Sequence, residues 1–244
     1  MPLNPDLPQD PQPPSRIAWL VVAMLIPVAL LNYLDRQMVA TMKTSITADV
    51  PGIASRENWG FMLGSFKWVY ALLSPFGGYI ADRFGRRLVI GGSLLVWSAV
   101  TLATGFVTDY HGLLATRALM GISEAFYIPA ALALIADYHR GSTRSRAVGL
   151  HQAGIYAGQI LGAYAGHVAD APDLGWRFAF QACGVVGMIY ALPLILILRD
   201  RPSKPAEEAH REASMFSALG ELLKNRDYRL LVVYFTLPAI AGWV

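Results

Sequence analysis

GGYIADRFGRRLVI, residues 77–90, places Asp82, Arg83, Arg86 and Arg87 within a single short segment. The sequence on both sides is long and apolar, so these charges read as a loop between two helices that cross a bilayer. The chain as a whole agrees: 55% of its 244 residues are hydrophobic, 15% are charged, and mean hydropathy is +0.40. That is too apolar for a water-soluble domain. A hydrocarbon core about 30 Å thick needs roughly 20 apolar residues of helix. Residues 17–40, 59–80, 88–107, 112–138, 147–168 and 176–198 supply six such spans, and a seventh begins near Arg229 and reaches the chain end at Val244. The expected fold is an all-α membrane protein, a six-helix bundle with the start of a seventh helix, as in part of a longer protein. Short loops between long spans make neighbouring helices antiparallel.

Basic residues set the orientation. If the spans alternate, Arg16, Arg83, Arg86, Arg87, Arg140, Arg144, Arg146, Arg199, Arg201, Lys204, Arg211, Lys224, Arg226 and Arg229 share one side, against Lys43, Arg56 and Arg177 on the other. Fourteen against three puts the N-terminus in the cytoplasm of a multi-pass plasma (inner) membrane protein. The net charge of +3 is then a matter of topology, and nucleic acid is not an expected partner.

Four segments follow. Residues 1–16, proline-rich and without a basic residue before Arg16, read as a disordered cytoplasmic tail and not as a signal peptide. Residues 17–199 form the six-span bundle, 200–228 a cytoplasmic linker, and 229–244 a truncated seventh span. Within the linker Phe216, Leu219, Leu222 and Leu223 share a helical face, as in an amphipathic helix on the membrane surface; a plain solvated linker is the alternative. Cys183 is the one cysteine, so no intrachain disulfide can form.

The loop's spacing, Gly78, Asp82, Arg83, Gly85, Arg86 and Arg87, resembles the G-x-x-x-D-R-x-G-R-R signature of the major facilitator superfamily. Gly78 would permit close helix approach, Gly85 a tight turn, and Asp82 would meet basic partners near a helix end. The resemblance implies a conformational latch that clamps the cytoplasmic side in one state. Simple positive-inside anchoring would explain the arginines but not the glycines and the aspartate. RALMGISEA adds Arg117, Gly121 and Ala125 in the R-x-x-x-G-x-x-x-A order of that superfamily's fourth helix, usually in proton-coupled members.

Ionisable residues inside spans are costly and point to function. Arg117 and Glu124 lie seven residues apart on one face, about 10 Å along the helix; a structural Arg–Glu staple is the alternative. In the first span Asn32 and Arg36 lie one turn apart with Asp35 beside them, and Asn32-Tyr33-Leu34-Asp35-Arg36 resembles the N-Y-x-D-R of two facilitator branches. These are the anion:cation symporters of sugar acids and related organic anions, and the spinster-like lipid transporters. Lys67, Tyr70 and Ser74 fall within about 60° on a helical wheel and are expected on one cavity wall, with snorkelling of Lys67 as the alternative. Tyr70 matches a tyrosine that the anion symporters place near substrate.

In the fifth span Gly154, Gly158, Gly162 and Gly166 recur every four residues, a stripe for close helix packing. Gln152 and Gln159 are candidates for the cavity or for a helix-to-helix hydrogen bond. Gly158 is followed by Gln159 and not by proline, which disfavours the drug exporters. GISEA lies inside a span and cannot be the strand-to-helix elbow of a hydrolase. No phosphate-binding loop and no metal-ligand spacing occurs, so no enzyme activity, cofactor or metal is expected.

Arg36, Lys67 and Arg117 against Asp35 and Glu124 leave the cavity at +1, or +3 with both acids protonated. Burial and neighbouring arginines act in opposite senses on a carboxylate's proton. Protons that raise the positive charge strengthen anion binding, and the anion strengthens proton binding in return. The expectation is therefore proton-coupled symport of a small organic anion such as a sugar acid. Asn32, Tyr33, Arg36, Lys67, Tyr70, Arg117, Gln152 and Gln159 would face substrate, and Asp35 and Glu124 would carry protons. Spinster-like export of a lysolipid or similar amphiphile is the alternative. The expected partners are the solute, protons, the bilayer and a second, C-terminal six-helix half.

Overall fold

The computed structural model describes residues 16–171, 173–201 and 215–241. Every regular element among them is helical. The chain divides into two units, Met1–Arg201 and Pro202–Val244.

In the first unit α1 (Arg16–Thr41) is followed by a short α2 (Lys43–Asp49), α3 (Arg56–Leu73), α4 (Gly77–Phe84), α5 (Arg86–Thr104), α6 (Tyr110–Glu124), α7 (Tyr127–Tyr138), α8 (Gly141–Ala163), a short α9 (Ala165–Ala169) and α10 (Gly175–Ile197). Side-chain caps set two of the starts. Ser55 accepts from the Asn58 amide at 3.1 Å to begin α3, and Asp109 accepts from the Gly112 amide at 2.7 Å to begin α6.

Four stretches are long and apolar enough to cross a membrane: Arg16–Thr41, Arg86–Thr104, Tyr110–Tyr138 and Gly175–Ile197. The expected second and fifth spans are helical but fall outside that set. The second is interrupted where Pro75 enters a 3-10 turn, Ser74–Phe76, between α3 and α4. The fifth, α8, opens with Arg144 and Arg146 and is rich in glycine, which lowers its hydropathy. At 23 residues α8 is still about 34 Å long.

Glycines decide which helices meet. A Cβ on Gly154 or Gly162 would lie 2.8 Å from the carbonyl oxygens of Ile26 and Leu34, and one on Gly158 would strike the Leu30 backbone. The stripe on α8 therefore seats directly on the backbone of α1, one carbonyl per helical turn. Gly121 on α6 lies equally close to the Phe66 carbonyl of α3, 2.7 Å from a built Cβ, and Gly184 on α10 abuts Leu102 of α5. Three helix pairs, α1–α8, α3–α6 and α5–α10, are closed in this way. Small residues let backbones approach where lipid offers no hydrophobic drive toward association.

The interior has two apolar zones with a polar layer between them. On α1 the buried apolar residues of one zone end at Ala29, those of the other begin at Met38, and buried Asn32 and Asp35 lie between. On α6 and α7 the same interruption runs from Leu113 to Tyr127 and holds Thr116, Arg117, Ser123 and Glu124. On α5 it holds Ser98, Thr101 and Thr104 beyond Trp97. Large apolar side chains meanwhile lie on the outside, among them Leu72, Val96, Ile160, Ile189 and Leu196. Polar inside and apolar outside is the arrangement of a bundle whose solvent is lipid.

The second unit holds α11 (Met215–Lys224) and α12 (Arg226–Ala241), with the Asn225 side chain accepting from the amides of Asp227 and Tyr228. The helix expected in the linker is α11; its Leu222 and Leu223 are exposed, whereas the side chains of Phe216 and Leu219 lie outside the described residues. So do the N-terminal tail up to Ser15, residues 202–214 and the last three residues of the seventh span.

The glycine seating predicts a contrast between two positions on α8. Gly158→Val drives a branched side chain into the Leu30 backbone and should lower stability by about 1–3 kcal/mol. Gly149→Ala, with nothing within 4 Å of the added Cβ, should be neutral or slightly stabilising. Thermal unfolding of the two purified variants in detergent measures the difference.

Candidate functional site

The polar layer concentrates on α1, α5 and α6. Asp35 and Glu124 are buried, at 2% and 0% exposure, and so is Arg117, at 3%. The two acids are paired crosswise between helices. Arg36 Nε donates to Glu124 Oε2 at 2.7 Å, and Arg117 Nη1 lies 3.9 Å from Asp35 Oδ1. Each arginine thus answers the acid of the other helix, and Glu124 is not stapled to Arg117 along α6.

Arg36 has three aromatic neighbours. Its guanidinium carbon lies 4.8 Å from the centroids of Tyr33 and Phe66 and 4.7 Å from that of Tyr70. Such faces attract a cation while excluding water from it. Tyr33 and Tyr70 were expected near substrate; Phe66 was not, although it stands one helical turn before Tyr70 on α3, and that spacing is its signal. Arg117 lies 5.7 Å from the centroid of Phe180 on α10.

Two threonines on α5 complete the layer. The Thr101 hydroxyl bonds to Asp35 Oδ2, and Thr104 Oγ1 accepts from Arg117 Nη2 at 3.3 Å. Nothing in the third span's sequence marks them, because a threonine in an apolar helix ordinarily bonds its own backbone. The layer also holds buried polar atoms with no hydrogen-bond partner among the described residues: both side-chain atoms of Asn32, Asp35 Oδ1, Glu124 Oε1, Arg36 Nη2 and Arg117 Nε. Buried polar groups are bonded in the great majority of cases, so this concentration sets the layer apart from the rest of the bundle.

Other candidates fall elsewhere. Lys67 and Gln152 are exposed and Gln159 is half-buried. On the expected wall Lys67 is exposed and Tyr70 and Ser74 are half-buried; Ser74 caps α3 with its amide bonded to the Tyr70 carbonyl, and Pro75 follows it in the 3-10 turn.

At one end of the bundle, Arg86 connects three elements. It pairs with Asp82 at 3.2 Å, with Asp137 at the end of α7, and donates to the Ala133 carbonyl. Gly85 has φ +88°, which fits the tight turn expected of it. Asp200 accepts from the Arg87 amide at 2.8 Å and supplies the N-terminal cap of α5. Arg83 reaches Tyr79 at 3.2 Å. The close helix approach expected at Gly78 belongs instead to Gly77, whose built Cβ would lie 2.9 Å from Pro129; around Gly78 there is open space. Asp137 was not anticipated, yet Ile135-Ala136-Asp137 repeats Ile80-Ala81-Asp82 in sequence. Among the described residues no group of three or more His, Cys, Asp or Glu could hold a metal.

Comparison with known proteins gives this geometry a context. The Major Facilitator Superfamily model matches residues 25–244. Protein spinster of Drosophila melanogaster is 30% identical over 98% of the chain and 40% of its own length. Protein spinster homolog 1 of Homo sapiens is 33% identical over 93% of the chain and 44% of its own length. The chain thus spans less than half the length of these two relatives. A crystal structure of a bacterial homologue of the human lysosomal transporter Spinster, inward-facing and unoccupied, superposes with a TM-score of 0.71 at 24% identity, covering 86% of this chain and 50% of that one. The same kind of homologue in an inward-facing, occupied conformation gives 0.69 at 25% identity, covering 77% and 46%. With its apolar helices and all-α architecture, the chain is a multi-pass membrane protein that belongs to the major facilitator superfamily.

Proposed function

We propose that this chain forms one half of a proton-coupled secondary transporter for an amphiphile with an anionic head, such as a lysolipid. A second six-helix half would complete the cavity, and the arginine-rich end would face the cytoplasm by the positive-inside rule. The observation that carries the reading is the contact of Arg36 with Glu124 at 2.7 Å. Glu124 occupies the cation that an anionic head would need. A proton on Glu124 removes the competing charge and frees Arg36 for the head, and the bound head favours the proton in return. Asp35, with Arg117 at a looser 3.9 Å, would be a second proton site.

Two observations favour the amphiphile over the small sugar acid. The relatives found are spinster proteins, and Arg36 sits beside Tyr33, Phe66 and Tyr70, so the anion site has apolar walls suited to the first carbons of a tail. The hub of Arg86 with Asp82 and Asp137 would act as the latch, because ion pairs at the mouth of the bundle can open and close without rebuilding its core.

Uptake into proteoliposomes of the complete carrier tests the substrate class. Radiolabelled lysolipids should saturate and respond to a proton gradient, and sugar acids should not. Saturable sugar-acid uptake with no lysolipid transport would return the anion symporter reading. Glu124→Gln tests the coupling. It copies the protonated acid, so substrate affinity should stay within a few fold and counterflow should persist, while accumulation driven by a pH gradient should fall at least tenfold. Gradient-driven accumulation intact in that variant would remove Glu124 as a proton site.

A further inference from the structure

Thr101 makes two contacts with one proton. Its hydroxyl bonds to Asp35 Oδ2 and also lies 2.9 Å from the Trp97 carbonyl one turn back on α5. A threonine hydroxyl has one O–H to donate, and both neighbours are oxygens. With Asp35 ionised, its carboxylate and the Trp97 carbonyl compete for that single proton, and only one of them can take it fully. With Asp35 protonated on Oδ2, the carboxylic acid donates to Thr101, Thr101 donates to the Trp97 carbonyl, and both contacts are made. Thr104, three residues on, provides the contrast. It accepts from Arg117 at 3.3 Å and donates to the Val100 carbonyl at 2.8 Å, an arrangement complete at any pH because Arg117 always donates.

We infer that Thr101 is a proton-dependent positioning residue: its hydroxyl turns toward Asp35 when Asp35 is ionised and toward the Trp97 carbonyl when Asp35 carries a proton. The inference rests on the reading of Asp35 as a proton site and adds the group that reports its state to α5. The Trp97 carbonyl loses little in the ionised state, because it has a second lone pair and lies within a helix that already bonds it. The switch therefore gives each state of Asp35 a matched partner without breaking α5. The other charged or titratable groups around Asp35 are Arg36 on its own helix, Arg117 and Glu124 on α6 and Cys183 on α10. None of them can both donate to the ionised acid and accept from the protonated one at this contact. Arginines only donate, Glu124 is engaged by Arg36, and a thiol is a weak partner in either sense.

The test uses the complete carrier in proteoliposomes and compares Thr101→Val, Thr101→Ser and Asp35→Asn for counterflow, for accumulation under a pH gradient, and for the pH profile of exchange. Thr101→Val keeps the shape and removes the hydroxyl. The ratio of accumulation to counterflow should fall about tenfold, the size expected for one hydrogen bond to a charged group, and the midpoint of the pH profile should move. Thr101→Ser should restore both, which a purely steric role would not achieve. If Thr101→Val does not reach the membrane folded, Thr101→Ala removes the same hydroxyl and takes its place. Unchanged accumulation and pH profile in the variant without the hydroxyl, beside an Asp35→Asn that has lost accumulation, overturns the switch and leaves Asp35 as a proton site. Intact accumulation in Asp35→Asn overturns both.

Discussion

Two ion pairs in the middle of an apolar bundle, each with a buried acid, constrain the helices around them. A charge removed from water is tolerated only beside a partner, so Arg36 must find Glu124 and Arg117 must find Asp35. Because the partners lie on different helices, α1 and α6 are held in one register relative to each other. The same feature makes the layer usable. A pair that exists to cancel charge is disturbed whenever a proton or an anion changes that charge, and the disturbance is felt on both helices at once. On the proposed reading, stability and responsiveness would come from the same four side chains.

The packing around the layer is arranged so that helices can hold together without it. The glycines of α8 seat on the carbonyls of α1, Gly121 seats on the Phe66 carbonyl, and Gly184 abuts Leu102. These contacts depend on backbone shape and not on charge. They lie along the same helices that carry the ion pairs, so a bundle closed by glycines can tolerate a change of protonation in its centre. At the end of the bundle the charges of Arg86, Asp82 and Asp137 are more exposed. A partly exposed pair contributes less to stability than one in the interior.

Much of this was legible in the sequence for identifiable reasons. Asp35, Arg36, Arg117 and Glu124 stand out because charges inside apolar runs are rare, and the glycine stripe stands out because its period matches the helix. The loop of Asp82, Gly85 and Arg86 has a spacing too particular for anchoring alone. What sequence did not show is which charge meets which. Spacing along α6 put Arg117 and Glu124 on one face and left a staple between them as the alternative, whereas the fold crosses the partners between helices. The loop signature marked Gly78 for close approach, whereas the turn at Pro75 brings Gly77 against Pro129 instead. Thr101 and Thr104 were silent because threonine in an apolar span is unremarkable until its neighbour is a carboxylate or a guanidinium.

The crossed pairing is the central claim, and a double-mutant cycle on Arg36 and Glu124 tests it most directly. Thermal unfolding in detergent is measured for Arg36→Met, Glu124→Gln, the double variant and the parent. Each single change leaves a buried group without its partner, so the double variant should be more stable than the sum of the two losses predicts, with a coupling of about 2 kcal/mol or more. Additive losses, with no coupling beyond about 0.5 kcal/mol, would contradict the pairing and with it the account of how α1 and α6 act together.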